Sequence, residues 1–236
     1  MTRKRPVVAI DGPAGAGKTS VTRKVASQLG YLLVDTGAIY RSVAFAAKRE
    51  GVDFVDADAI GALAHALAGR EAIQFANAAD GGQRVLIDGE DVSIGIRTQE
   101  IADGASRVSA IPEVRAALLE MQRRAGRAGG VVLEGRDIGS VVFPDAEAKF
   151  FLTASVEIRA LRRKTELEAR GEPADLDTIA REVRERDHRD SSRPVAPLVQ
   201  ATDAMLVDSS VLGIDEVVER IVEHVREVER RLASLV

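Results

Sequence analysis

The stretch Gly12-Pro13-Ala14-Gly15-Ala16-Gly17-Lys18-Thr19 constrains this chain more than any other. It fits G-x-x-x-x-G-K-[ST], a loop whose backbone N–H groups curl around phosphate oxygens. Its flanks are those such a loop needs. Val7–Ile10 is a continuous apolar run suited to a parallel strand buried on both faces. After the loop, Val21, Val25 and Leu29 share one helical face, and Gly30 supplies a C-terminal stop. Strand, glycine loop and helix together put an anion nest at a helix N-terminus, whose dipole favours the same charge. Lys18 would reach the terminal phosphates of a nucleoside triphosphate, and the Thr19 hydroxyl would ligate Mg²⁺.

The same alternation continues. Leu32–Val34 reads as a second strand ended by Asp35-Thr36-Gly37, followed by helix through Tyr40 to Lys48. Val131–Leu133, Lys149–Thr153 and Met205–Asp208 read as further strands. A last helix carries Ile214, Val217, Val218, Ile221, Val222, Val225, Val228 and Leu232 at core-packing spacing. This pattern predicts an α/β chain: a parallel sheet flanked by helices. The middle departs from it. Ala72–Phe75 and Arg84–Ile87 are short strands separated by the turn signal Asp80-Gly81-Gly82, with a second turn at Asp88-Gly89. Residues 68–96 are therefore read as a small antiparallel meander inserted in the core. From Glu157 to Arg193, twenty of 37 residues are charged and none is aromatic, which predicts a solvated helical hairpin standing off the core.

Composition narrows the classes. Hydrophobic residues are 45% and aromatics 3%, without Trp, so the core must be aliphatic. A formal charge of −4 argues against non-specific nucleic-acid binding. With no cysteine, disulfides and thiolate chemistry are excluded. Met1–Arg5 is basic, but the apolar run behind it is too short for a secretory leader, and no run of about 18 apolar residues would span a membrane. A soluble, cytoplasmic monomer is expected, with small molecules rather than nucleic acid or membrane as partners.

What is done with the triphosphate is a separate question. The guanine-reading tetrad [NT]-K-x-D is absent, and Val131-Val132-Leu133 before Glu134 is a short version of the strand that anchors magnesium in motor-type ATPases. Small-molecule phosphoryl transfer is the class that remains, with a nucleotide-binding switch as its rival. Arg186, Asp190 and Arg193 stand at i, i+4 and i+7, and Arg159, Arg162 and Arg163 lie on the preceding helix. Guanidinium forks hold phosphate oxygens bidentately, but charged helix faces also form simply for solvation and i,i+4 pairing; both readings stand on the residues alone. Tyr40-Arg41 and Arg136-Asp137 follow predicted strand ends, where open α/β sheets bind ligands, and helix packing or a loop salt bridge accounts for them equally well. His65, His188 and His224 show no ligand spacing and read as surface residues.

Four motifs in this order carry a family resemblance: Asp11-Gly-Pro-Ala-Gly-Ala-Gly-Lys-Thr19, Asp35-Thr-Gly-Ala-Ile-Tyr-Arg41, Glu134-Gly-Arg-Asp-Ile-Gly-Ser-Val-Val-Phe-Pro-Asp145, and Arg186-Asp-His-Arg-Asp-Ser-Ser-Arg193 followed by Ala196-Pro-Leu198. The chain resembles the bacterial cytidylate kinases, of the nucleoside monophosphate kinase group, from Val7 to the final helix. The resemblance implies a P-loop fold with an enlarged monophosphate-binding insert at about 41–104 and a helical lid at about 157–193. The core would then be about 1–40, 105–156 and 194–236. It implies transfer from Mg-ATP to CMP or dCMP. Gly12, Pro13, Ala14, Gly15, Ala16, Gly17, Lys18, Thr19 and Ser20 would hold ATP. Thr36, Tyr40 and Arg41 would bind the monophosphate, and Ser106 and Arg115 would read cytosine. Arg136 and Asp137 would meet phosphate and sugar, while Arg186, Asp190 and Arg193 would close over the acceptor, Asp190 accepting from ribose hydroxyls. Lys18, Arg162, Arg163 and Arg193 would act on the transferring group, with Arg159 a lid candidate beside Arg162 and Arg163. The pattern departs at Val156 and Ile158, where the family has proline and a charged residue.

Overall fold

A computed structural model describes residues 3–77 and 83–234; the turn read at Asp80-Gly81-Gly82 lies outside the described residues. Along the chain come β1 (Val7–Asp11), α1 (Lys18–Leu29), β2 (Leu32–Asp35), α2 (Thr36–Glu50) and α3 (Ala57–Gly69). Next are β3 (Ile73–Asn77), β4 (Gln83–Ile87), β5 (Glu90–Asp91), α4 (Gln99–Val108) and α5 (Pro112–Gly126). The remainder is β6 (Val131–Gly135), β7 (Ala148–Thr153), α6 (Val156–Glu168), α7 (Leu176–Ser192), β8 (Met205–Asp208) and α8 (Ile214–Ala233). The elements group into two compact units, residues 1–34 with 128–236, and residues 35–127.

In the first unit the apolar runs pair as expected. β1 is buried along its length and lies between β6 and β7, both parallel to it, in a sheet ordered β2-β6-β1-β7-β8. Val8, Ile10, Val132, Phe150, Leu152 and Val207 from the strands meet Val21 and Val25 of α1 and Val217, Ile221 and Val225 of α8 in one aliphatic core. The parallel sheet therefore brings the C-terminal ends of β1 and β6 side by side, with Asp11 opposite Gly135. Between β6 and β7 the backbone makes a π-type turn over Ile138–Val142, in which the amides of Val142 and Phe143 donate to the carbonyls of Asp137 and Ile138 at 3.1 and 2.7 Å.

The second unit packs four helices, with α2 against α4 and α3 against α5, and carries the antiparallel sheet β3-β4-β5. The meander expected at 68–96 is this sheet, in the register Phe75 opposite Val85. The unit reaches beyond the insert expected at about 41–104, because Ile101, Val108, Val114 and Leu118 of α4 and α5 share one core with Ile39, Val43, Ile60 and Leu67.

Two expectations from the sequence are corrected. The charged hairpin α6–α7 is not merely a solvated appendage: Arg159, Ile179, Asp190 and Arg193 are buried, the charged ones through partners described below. His224 is half-buried and meets Phe150 edge-on, ring centroids 5.4 Å apart, rather than standing free at the surface. Among the described residues, no helix is long and apolar enough to cross a membrane.

Candidate active site

Steric exclusion shapes the loop after β1. Gly12 has φ 151°, and a Cβ there would lie 1.9 Å from the carbonyl oxygen of Leu152 in β7, so glycine alone fits. Gly17 precedes α1 in the left-handed region, and no side chain caps the helix, which leaves its leading N–H groups for an anion. Lys18 is buried, its Nζ donating to the carbonyls of Gly12 and Pro13 at 2.8 and 2.7 Å. Burial first, and then the nearby Arg136 guanidinium, hold its pKa well below the ordinary lysine range. Phosphate oxygens placed at this ammonium would supply the negative charge that it lacks.

The Thr19 hydroxyl donates to Oε2 of buried Glu134 at 3.1 Å. A hydroxyl and a carboxylate side by side are the hard oxygen donors that suit Mg²⁺ beside a phosphate chain, so both residues fit that ion. Glu134 of β6, weak as a sequence signal, thus brings its carboxylate to the loop.

Asp11 was read from the sequence only as part of the loop motif. Both of its carboxylate oxygens accept backbone bonds, from Ile138 N at 2.8 Å and Gly139 N at 2.7 Å. Burial pushes its pKa up to about 6 despite those two bonds. The residue preceding the phosphate loop is in this way tied to the turn that follows Arg136-Asp137.

Around α7 the arginines are organised by carboxylates. Arg136 Nε donates to Asp190 Oδ2 at 2.8 Å, and Arg193, just past the helix end, donates from Nε to the Asp190 carbonyl at 3.2 Å. Burial works against the Asp190 charge, yet Arg136, Arg186 and Arg193 outweigh it and hold the carboxyl below the usual range. Asp190 is therefore the counter-ion of a guanidinium cluster, a role beside the ribose contact implied for it. Asp137 is buried in the same unit.

The three arginines of α6 differ. Arg159 is buried and spends its donors on Ala154, Ala14 and Asp187. Arg162 lies along the loop's outer wall, donating to Ser209 Oγ at 3.1 Å and Ser209 O at 2.7 Å, while Ser209 Oγ is 3.0 Å from Ala16 O. Arg163 meets Glu166 at 3.2 Å. Asp187 and Ser209, which sort these arginines, had no sequence signal distinguishing them from neighbouring polar residues.

The second unit holds the other candidates. Asp35 caps α2, its Oδ1 accepting from Ala38 N at 3.1 Å and its Oδ2 from Arg41 Nη2 at 2.6 Å, with buried Thr36 as the first helical residue. Arg41 Nε is buried with no hydrogen-bond partner among the described residues. Tyr40 and Arg115 come together, the guanidinium 5.5 Å from the ring centroid, and Gln122, unforeseen from the sequence, donates to the Tyr40 hydroxyl at 3.4 Å. Arg115 also donates to Ser109 O at 3.2 Å, at the corner between α4 and α5. On α4, Ser106 Oγ is buried without a hydrogen-bond partner among the described residues. A hydroxyl stripped of water and given nothing in return is a natural contact for a ligand.

The family model described as cytidylate kinase matches residues 8–227. A protein of Pseudomonas aeruginosa (strain UCBPP-PA14) named cytidylate kinase is 51% identical over 221 residues, 93% of this chain and 94% of that one. One of the same name from Shewanella loihica is 48% identical over 96% of this chain and 97% of its own length. Another, from Citrifermentans bemidjiense, is 51% identical over 94% and 93%.

Proposed function

The chain belongs to the cytidylate kinase family, and from that premise we propose that it transfers the γ-phosphate of Mg-ATP to CMP or dCMP, giving ADP and CDP or dCDP. The observation that carries this reading is the coexistence, in one unit, of a glycine-built loop around buried Lys18 and a guanidinium cluster held on Asp190. The loop suits a phosphate chain, and the cluster suits a second phosphate-bearing molecule. Neither a neutral acceptor nor a nucleotide switch without turnover would need the second set.

In the reaction a phosphate oxygen of the monophosphate forms a bond to the γ-phosphorus. The bond from that phosphorus to the bridging oxygen breaks, and its electron pair leaves on ADP. No base is required, since the attacking oxygen is already anionic. Positioning and charge neutralisation supply the rate. Lys18 and the loop amides hold the donor phosphates, while Arg136, Arg186 and Arg193 neutralise the acceptor side. Arg162 and Arg163 stand at α6 for the transferring group. Thr19 and Glu134 would hold Mg²⁺, which screens charge between the β- and γ-phosphates when bound. Arg41 and Thr36 at the start of α2 take the monophosphate, and Tyr40, Ser106 and Arg115 frame the cytosine.

The enzyme acts on small nucleotides as a cytoplasmic monomer in this reading. The test is ADP release from Mg-ATP with CMP, dCMP, UMP and AMP offered separately. Fast release with CMP and dCMP and little with AMP is expected. Release with UMP or AMP alone overturns the cytosine-reading roles of Ser106 and Arg115. ATP binding without acceptor-stimulated turnover overturns the kinase assignment.

A further inference from the structure

Arg159 is built into the molecule more completely than phosphate contact alone requires. Its side chain is 4% exposed, and its guanidinium makes four hydrogen bonds. Nε donates to Ala154 O at 2.9 Å, at the end of β7. Nη1 reaches Ala14 O in the phosphate loop at 3.1 Å and Asp187 Oδ1 at 2.9 Å, and Nη2 reaches Asp187 Oδ2 at 2.5 Å. Its stem also backs the loop, since a Cβ on Gly15 would lie 3.1 Å from Arg159 Cβ. A guanidinium is a rigid plane, so this one fixes the loop, the end of β7 and α7 in a single geometry.

Asp187 follows Arg186 and lies three residues before Asp190 on α7. That helix carries the cluster assigned above to the acceptor. We propose that Arg159 and Asp187 form a positioning pair that couples occupancy of the phosphate loop to the placement of Arg186, Asp190 and Arg193. A shift of the Ala14 carbonyl when phosphate enters the loop is passed through a planar fork to a helix, with no flexible joint between. The bidentate geometry matters because it transmits orientation as well as distance. By linkage the effect is reciprocal: CMP tightens ATP as much as ATP tightens CMP. The inference rests on the kinase reading, and the pair touches neither substrate directly.

The test begins with wild-type turnover on CMP, whose absence would undo the functional reading and not this inference. Dissociation constants for CMP are then measured alone and with a saturating non-hydrolysable ATP analogue and Mg²⁺. The wild type should show a coupling factor of about 5 or more, the usual scale for linked sites. Asp187→Asn keeps the shape and removes the charge. It should bring the factor to within about twofold of unity and lower kcat about tenfold, with affinity for the analogue alone changed less than about threefold. Arg159→Lys keeps the charge and loses the fork, and should uncouple likewise. It carries the test if Asp187→Asn does not fold. Asp187→Glu, which restores the carboxylate, should recover part of the factor. A wild type without coupling overturns the proposal. So does a folded Asp187→Asn or Arg159→Lys with the wild-type factor, and so does a variant that weakens each ligand alone as much as the pair together.

Discussion

In the proposed reaction the β1–α1 loop and the α6–α7 hairpin both handle phosphate charge, by different physical means. The loop does it with backbone. Its shape follows from glycine conformations, and a single added methyl at Gly12 would collide with Leu152. The hairpin does it with side chains whose charges are balanced against one another: Asp190 against three guanidiniums, Asp187 against Arg159. A backbone-built site concentrates its sensitivity in a few positions where one residue type is allowed. A side-chain network spreads its sensitivity and makes it depend on which charges are already paired.

The largest effect should come from breaking the loop. Gly12→Ala forces a Cβ to within 1.9 Å of a backbone oxygen at a φ that L residues rarely adopt. Strain and overpacking together should cost about 3 kcal/mol or more. In a chain of this size that lowers the thermal midpoint by roughly 10 °C. ATP binding should be lost with it, as calorimetry and titration would show. Retained binding with an unchanged midpoint would mean that the loop is not held as described. Lys18→Ala sharpens the point from the other side. Turnover should fall by about 10²–10³, the usual effect of removing one donor to developing charge. The midpoint should not fall, because the free protein holds this ammonium at a desolvation cost.

Legibility followed the same division. The loop, the buried strands and α8 could be read because each position has a strict physical requirement and a matching residue. The expected last helix, with Val217, Val218, Ile221, Val222, Val225 and Val228 buried, is where the spacing put it. The sequence pattern marks no element at α3, α4 or α5. α3 is so rich in alanine that its faces differ little. In α4 the pattern is interrupted by Gly104, which is there because a Cβ would come 2.7 Å from the Phe54 ring, a tertiary reason invisible in the sequence. In the hairpin, Arg159, Arg162 and Arg163 share one chemistry and helical neighbourhood, so spacing cannot say that the first bonds Asp187 and the second Ser209.

A pH titration tests how the loop is anchored on the turn between β6 and β7. Asp11 ties the loop to the turn after Arg136-Asp137, and its carboxyl titrates near 6 in the fold against 3.8 otherwise. Between those values the native state holds a proton that the unfolded chain has released. Stability from this group is therefore fully present below about pH 4 and lost as pH rises through 6, by up to about 3 kcal/mol. Asp11→Asn should flatten that limb of the stability–pH curve; an unchanged limb would remove Asp11 as its source. In the hairpin network, Arg193→Ala should raise KM for CMP by about 10- to 100-fold, the scale of a hydrogen bond to a charged group. ATP affinity should stay within about threefold of wild type. Equal losses on both substrates would count against an acceptor-side role.

The smallest effect is the most discriminating for the second unit. Ser106 Oγ has no hydrogen-bond partner among the described residues, so the free protein bears the desolvation of that hydroxyl without return. Ser106→Ala should leave the thermal midpoint unchanged or raise it slightly, while weakening CMP by about 1 kcal/mol, roughly fivefold in Kd. Stability and affinity then move in opposite directions, which a residue serving only to pack α4 would not produce. A lower midpoint with unchanged CMP binding would make Ser106 structural, and leave base recognition to Tyr40 and Arg115.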